Sequence, residues 1–179
     1  MSIKLILDSS ADLTSLEGVA FSYAPLKVCT AEREFIDNDS GDAAAMVEYL
    51  AAFKGRSSTS CPNPEDWLAA FGDSQNIFCI TITSNLSGSF NAALTAKELY
   101  LEAHPDRKVF VIDSLSAGPE LKLIAEKLEE LILQNLSFEE SKAKIKRVDK
   151  ERSDYYNSFG YHSWANASNY DLCIDTDKF

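Results

Sequence analysis

Three short apolar segments separated by longer helical patterns constrain the fold of this chain more than any other feature. The segments IKLIL at 3–7, IFCITI at 77–82 and VFVI at 109–112 are rich in branched side chains and bounded by polar or turn residues. Such runs are typical of strands buried on both faces of a parallel sheet. Helical patterns follow at 42–53, 64–71, 88–103 and 120–134. The alternation predicts an α/β domain with three layers, in which a mainly parallel sheet carries helices on both faces.

The charge of the chain argues against nucleic acid as a partner. The 179 residues carry a formal net charge of −11, whereas a protein that binds a phosphate backbone generally presents a clustered basic face. The basic stretch at 142–152 has helical spacing and acidic neighbours, which is typical of a solvated helix face. The length fits one domain, or one domain with an appendage.

The four cysteines, Cys29, Cys61, Cys79 and Cys173, are far apart and form no C-x-x-C pair. With only two histidines beside them, we expect no metal site and no cofactor. Free thiols fit a reducing compartment. The N-terminal apolar run is too short for a signal peptide, and no segment approaches the length of a membrane span. The sequence therefore predicts a cytoplasmic protein.

Hydroxyl side chains cluster where the predicted strands end. DSSADLT follows the first strand, SNLSGS the second and DSLSAG the third, and RSSTSCPNP precedes the helix at 64. Ligands of open α/β sheets bind outside the carboxyl ends of the strands, near a switch in strand order. We therefore expect the four clusters to converge on one rim, although each serine taken alone can be a helix cap or a turn residue.

The motifs at this rim exclude several kinds of catalytic or nucleotide site. NLSGS is not G-x-S-x-G, and no histidine is placed beside it to activate a serine. The chain contains neither G-x-x-x-x-G-K-[ST] nor a G-x-G-x-x-G after the first strand. We expect no catalytic residues and no enzyme activity. The chemistry that remains is anion binding by hydroxyls and backbone N–H groups at a helix N-terminus, with Gly88 allowing close approach.

The order and spacing of six segments over 1–135 resemble the DegV family of fatty-acid-binding proteins. The resemblance implies an N-terminal α/β lobe, a second lobe and a long-chain fatty acid between them, which some members present to a fatty acid kinase. It also implies that Thr59, Ser60 and Ser87, with Gly88, hold the carboxylate, and we add Ser89 and Ser9 as further candidates. The segments are IKLILDSSADLT, YAPLKV, EFIDND, STSCPNPEDW, SNLSGSFNAA and VFVIDSLSAG.

The chain departs from the family pattern in two ways. Cys61 replaces the glutamine that usually follows the Thr-Ser pair. The length also leaves no room for a second lobe, since a domain needs on the order of 100 residues. An apolar slot would then need a cover from another chain or a second copy, so we expect a homodimer.

The C-terminal segment 144–179 resembles the C-terminal part of cytidylate-kinase-like proteins, through an Asp-Lys-x-Arg…Tyr-Tyr pattern and the closing segment NYDLCIDT. That resemblance implies phosphate contacts by Arg152 and Arg147, and a helix–strand appendage. We place a boundary near 136–141, at NLSFEE, where Ser137 can cap the next helix and Glu140 can complete a capping box. This divides the chain into 1–140 and 141–179. A fusion product that retains neither activity stays open as an alternative.

Overall fold

The computed structural model describes residues 3–37 and 43–159. A 3-10 turn at Ser9–Ala11 follows the first strand. In chain order the strands and helices are β1 (Ile3–Asp8), β2 (Ala20–Ala24), β3 (Lys27–Thr30), β4 (Glu34–Ile36), α1 (Ala43–Ala52), β5 (Ser57–Ser60), α2 (Pro64–Phe71), β6 (Asn76–Thr81), α3 (Ser89–Ala103), β7 (Lys108–Asp113), α4 (Pro119–Leu133) and α5 (Phe138–Phe159).

Four strands form the main sheet, in the order β2-β1-β6-β7. Each neighbouring pair is parallel, with Leu7 opposite Ile80 and Ile80 opposite Ile112. The three predicted apolar segments are therefore adjacent strands of one parallel sheet, which confirms the predicted fold class. The strand order switches between β1 and β6. Because the ligands of α/β folds bind outside the carboxyl ends of the strands at such a switch point, the ends of β1 and β6 mark the expected position of a site.

Alternate side chains of the main sheet face opposite helical layers, as a period of two requires. Ile6, Cys79 and Val111 belong to the core that includes Trp67 and Phe71 of α2, and that core also contains residues of α3. On the other face, residues such as Leu5 and Phe78 are fully buried, and α4 contributes the buried side chains Leu121, Ala125, Leu128 and Leu131. The sheet is thus covered on both faces.

A second sheet was not predicted. Strands β3, β4 and β5 form a small antiparallel sheet in the order β4-β3-β5. The hydroxyl cluster before the helix at 64 was not predicted to contain a strand, but Ser57–Ser60 is strand β5 and all four of its residues are exposed. It was missed because its sequence, SSTS, has no apolar alternation and its strand pairing comes from backbone hydrogen bonds.

The helix starts follow local capping chemistry. The Asn63 side chain accepts from the Asp66 N–H, and the Asp66 carboxylate accepts from the Asn63 N–H, with Pro64 at the first helical position. This capping box explains why the predicted bounds of α2 agree with the structure. Helix α3 begins one residue later than predicted, with Gly88 as its N-cap.

The chain divides into two compact units, Met1–Leu136 and Ser137–Phe179. The second begins with the predicted capping box, in which the Glu140 carboxylate accepts from the Ser137 N–H at 2.8 Å. Hydrogen bonds from the Ser137 hydroxyl, at 2.6 Å, and from the Ser137 N–H lower the pKa of the Glu140 carboxyl. Helix α5 ends at Phe159, and the predicted aromatic loop and closing strand, with Cys173, lie outside the described residues.

Candidate functional site

A buried carboxylate lies at the switch point of the main sheet. Asp8 ends β1 and has no exposed surface. Its oxygens accept hydrogen bonds from the Ser10 hydroxyl at 2.5 Å, the Ser89 hydroxyl at 2.7 Å and the Ile82 N–H at 2.8 Å. Burial raises the pKa of Asp8, and the hydrogen bonds from Ser10, Ser89 and Ile82 partly oppose that rise. Asp8 therefore ties together the ends of β1 and β6 and the start of α3.

Two more rim serines donate to carboxylates. The Ser84 hydroxyl donates to Asp113 at 2.5 Å, and the Ser84 N–H contacts the same carboxylate. The Ser116 hydroxyl donates to Glu120 in the first turn of α4. Because a serine hydroxyl has one proton to donate, Ser84, Ser116 and Ser89 already use theirs within the protein.

Hydrogen-bond donors that these carboxylates do not use lie at the N-terminus of α3. The Ser87 hydroxyl oxygen accepts from the Ser89 N–H at 3.2 Å, and it donates to no partner among the described residues. N–H groups of the first helical turn have no acceptor within their own helix. An anion is stabilised at such a helix end by these N–H groups and by the helix dipole.

The small sheet meets this rim at two places. The Ser9 hydroxyl accepts from the Leu26 N–H at 2.9 Å, just before β3. A Cβ added at Gly88 would lie 3.1 Å from the Cys61 Sγ, and Cys61 directly follows β5. The Thr-Ser pair and the Ser-Gly pair, which are far apart in the sequence, are therefore joined through Cys61 and Gly88.

The structure places the six candidate binding residues in four different environments. Thr59 and Ser60 are exposed on β5, where the Ser60 hydroxyl donates to the Cys61 carbonyl at 3.2 Å. Ser87 is half-buried and Gly88 is exposed at the N-cap of α3. Ser89 is fully buried against Asp8, and Ser9 is bonded to the backbone before β3.

Asp8 was not among the candidate residues drawn from the sequence, although it stands in the first hydroxyl cluster. The signal that could have identified it is an acidic residue ending an otherwise apolar strand that pairs on both sides. A carboxylate there has to be hydrogen-bonded by its neighbours when it is buried.

Of the two arginines predicted to bind phosphate, the structure describes the side chain of Arg147. Arg147 forms an ion pair with Glu151 at 3.3 Å, and both side chains are largely exposed. The side chain of Arg152 lies outside the described residues. Phosphate binding by either arginine stays a prediction.

The remaining polar chemistry of the described residues adds no second site. Burial raises the pKa of the Cys79 thiol, which keeps that thiol protonated. Within residues 3–37 and 43–159, no group of three or more His, Cys, Asp or Glu side chains is placed to hold a metal ion. No helix in the same part of the chain combines the length and the apolar character that a membrane span requires.

Comparison with known proteins finds relatives over most of the chain. The family model described as uncharacterised protein, DegV family, matches residues 2–157. A DegV domain-containing protein of Streptococcus pneumoniae is 48% identical over 144 residues, which are 78% of this chain and 51% of that relative. The chain thus spans about half the length of the curated relatives it matches.

Solved structures resemble the fold as well as the sequence. The Fatty Acid Kinase (Fak) B3 protein of Streptococcus pneumoniae, loaded with linoleic acid, superposes with a TM-score of 0.79 at 46% identity, covering 82% of this chain and 54% of that one. A DegV family protein from Eubacterium eligens, loaded with heptadecanoic acid, gives a TM-score of 0.79 at 42% identity, covering 82% of this chain and 53% of that one.

Proposed function

This chain belongs to the DegV family, and we propose that it binds a long-chain fatty acid whose carboxylate lies at the N-terminus of α3. The observation that carries the proposal is the contact between Gly88 and Cys61. It supports the proposal because Cys61 directly follows the exposed Thr-Ser pair of β5 and Gly88 is the N-cap of α3, in a fold whose relatives have been solved with linoleic and heptadecanoic acid bound.

The proposed head-group contacts follow from which donors are free. The Ser87 hydroxyl, the N–H groups that follow Ser89 in the first turn of α3 and the hydroxyl of Thr59 are the proposed neutral donors, with Ser60 adjacent to Thr59. Neutral donors suit a carboxylate because each hydrogen bond to a charged acceptor is stronger than one to a neutral acceptor. Ser89 and Ser9 contribute through the framework, since Ser89 donates to Asp8 and Ser9 accepts from Leu26.

The test is detection of copurified fatty acid by mass spectrometry of the extracted protein, followed by thermal unfolding with added linoleic acid. A ligand at about 100 times its Kd stabilises the folded state by about 2.7 kcal/mol. A raised Tm together with recovered fatty acid supports the proposal. An extract without fatty acid and an unchanged Tm would refute it.

We also propose the location, the partner and the oligomeric state that the sequence predicted. The chain acts as a non-enzymatic cytoplasmic carrier, and a fatty acid kinase is the candidate partner, in keeping with the name of the Fak B3 relative. A homodimer would cover an apolar slot left open on one copy. Light scattering of the purified chain measures the oligomeric state, and a monomer at all concentrations contradicts the dimer.

The cytidylate-kinase-like appendage at 141–179 is a separate proposal. If Arg147 and Arg152 bind phosphate, adding cytidine monophosphate or inorganic phosphate should perturb the NMR signals of those two side chains. Unchanged signals at millimolar ligand would exclude that role.

A further inference from the structure

We propose that Asp8 is the positioning residue of the carboxylate site, acting through Ser89 on Ser87. The inference rests on the proposed function and goes further, because it assigns the geometry of the head-group donors to a residue that does not touch the ligand. The hydrogen bonds run from the Ser89 hydroxyl to Asp8 and from the Ser89 N–H to the Ser87 oxygen.

The first step is that Asp8 holds the beginning of α3 against the sheet. Its carboxylate is fully buried and accepts from Ser89, the first residue of α3, and from the Ile82 N–H after β6. A buried carboxylate requires such partners, because a charge without hydrogen bonds is strongly disfavoured in a protein interior. The first turn of α3 is therefore fixed relative to the ends of β1 and β6.

The second step carries this position to Ser87. The Ser89 N–H donates to the Ser87 oxygen at 3.2 Å. Because that oxygen accepts from within the protein, the Ser87 proton is directed elsewhere and is available to a ligand oxygen. Loss of Asp8 would free the Ser89 hydroxyl and release the turn that orients both the Ser87 hydroxyl and the N–H groups of α3.

Asp113 provides a matched comparison. It ends β7, as Asp8 ends β1, and it also accepts from a serine hydroxyl and backbone N–H groups. Its donors, Ser84 and Leu115, lie in the loops after β6 and β7 rather than in α3. Asp113 thus resembles Asp8 in chemistry, but among the described residues its hydrogen bonds come from Ser84 and Leu115 and not from the proposed donors.

The experiment measures affinity for linoleic acid and for linoleyl alcohol in the full chain and in three variants, Asp8→Ala, Asp8→Asn and Asp113→Asn. The alcohol has the same tail and no carboxylate. Asp8→Ala should weaken acid binding by roughly tenfold or more, the loss of one hydrogen bond to a charged group, and change alcohol binding by less than about twofold.

Asp8→Asn should restore acid binding to within about threefold of wild type. The amide oxygen can accept from Ile82 and Ser89, while the amide NH2 turns toward the Ser10 hydroxyl oxygen. Asp113→Asn should bind both ligands as the wild type does. Urea unfolding of each variant checks that it is folded under the binding conditions.

Each alternative result separates one explanation from another. Equal loss of acid and alcohol binding in Asp8→Ala, or no rescue by Asp8→Asn, would mean that Asp8 supports the fold generally and would overturn the inference. Unchanged acid binding in Asp8→Ala would overturn it while leaving the proposed function in place. A wild-type chain that binds neither ligand would overturn both.

Discussion

Replacing Gly88 with alanine tests the contact that joins the small sheet to the start of α3. Gly88 has φ −72° and ψ −2°, which an alanine adopts without strain. The added Cβ, however, would lie 3.1 Å from the Cys61 Sγ, whereas an ordinary van der Waals contact begins at 3.4 Å. At least 0.3 Å (3.4 − 3.1) must therefore be gained by moving the sulfur or α3.

The magnitude is best expressed as a coupling energy between the two positions. Overpacking of this kind costs about 1–3 kcal/mol. Alanine also restricts the unfolded chain and is a poorer N-cap than glycine, but these effects are present with or without Cys61 and cancel in a double-mutant cycle. In a Cys61→Ala background the clash with sulfur is gone. We therefore expect a coupling of about 1–2 kcal/mol, in the range seen for residues in contact.

The assay is urea unfolding of wild type, Gly88→Ala, Cys61→Ala and the double variant, with the m-value compared among the four. A control cycle pairs Gly88→Ala with Cys29→Ala, another half-buried thiol, in β3. Its effects should add within about 0.3–0.5 kcal/mol. If the Cys61 cycle is additive to the same degree, the Thr-Ser and Ser-Gly pairs are not in contact, and the proposed carboxylate site loses its main support.

Three further predictions concern the capping box of α2, the buried carboxyl group of Asp8 and the serine hydroxyls of the rim. Asn63→Ala removes the side-chain acceptor of the Asp66 N–H, so urea unfolding should show a loss of about 1 kcal/mol in the free energy of unfolding. An unchanged free energy of unfolding would mean that the capping box of α2 does not stabilise the protein. Burial raises the pKa of Asp8, so its stabilising contribution is present below the unfolded pKa and is lost as pH rises through the folded pKa. The free energy of unfolding of Asp8→Asn should therefore rise relative to that of the wild type as pH increases above about 4, the ordinary pKa of an aspartate, and a difference that stays constant with pH would contradict this. Ser87→Ala should weaken linoleic acid binding by about fivefold to tenfold, whereas Ser84→Ala, whose hydroxyl already donates to a carboxylate, should not; equal effects would remove the distinction.

The main sheet and its helices were predictable because their sequences carry the signal locally. The segments at 3–7, 77–82 and 109–112 are apolar on both faces, and the observed strands differ from them by one residue at most at each end. The bounds of α2 were read from an asparagine cap and a proline, whose preferences are set by backbone geometry and not by distant contacts.

The small sheet was not predictable because its strands lack a buried face of their own. All four residues of β5 are exposed, and every residue of β3 is only partly buried. β3 and β4 pair as a short hairpin, with Cys29 opposite Glu34, but the pairing of β3 with β5 joins residues far apart in the sequence, with Val28 opposite Thr59. Neither the spacing of apolar residues nor the turn residues in the sequence indicate which strands pair in this way.

The hydrogen-bond partner of each serine in the rim could not be predicted from the sequence either. The hydroxyls of the rim follow β1, β6 and β7 in the sequence, and parallel strands end at one edge of a sheet. Which hydroxyl is free for a ligand depends instead on register, because register decides which carboxylate each serine meets. Ser89 and Ser87 are two residues apart, yet one donates its proton to Asp8 and the other keeps its proton. A carboxylate inside the rim thus uses up some of the hydroxyl donors. If the proposed function holds, the selectivity of the site for a carboxylate head group should depend both on this loss and on how Asp8 orients the donors that remain.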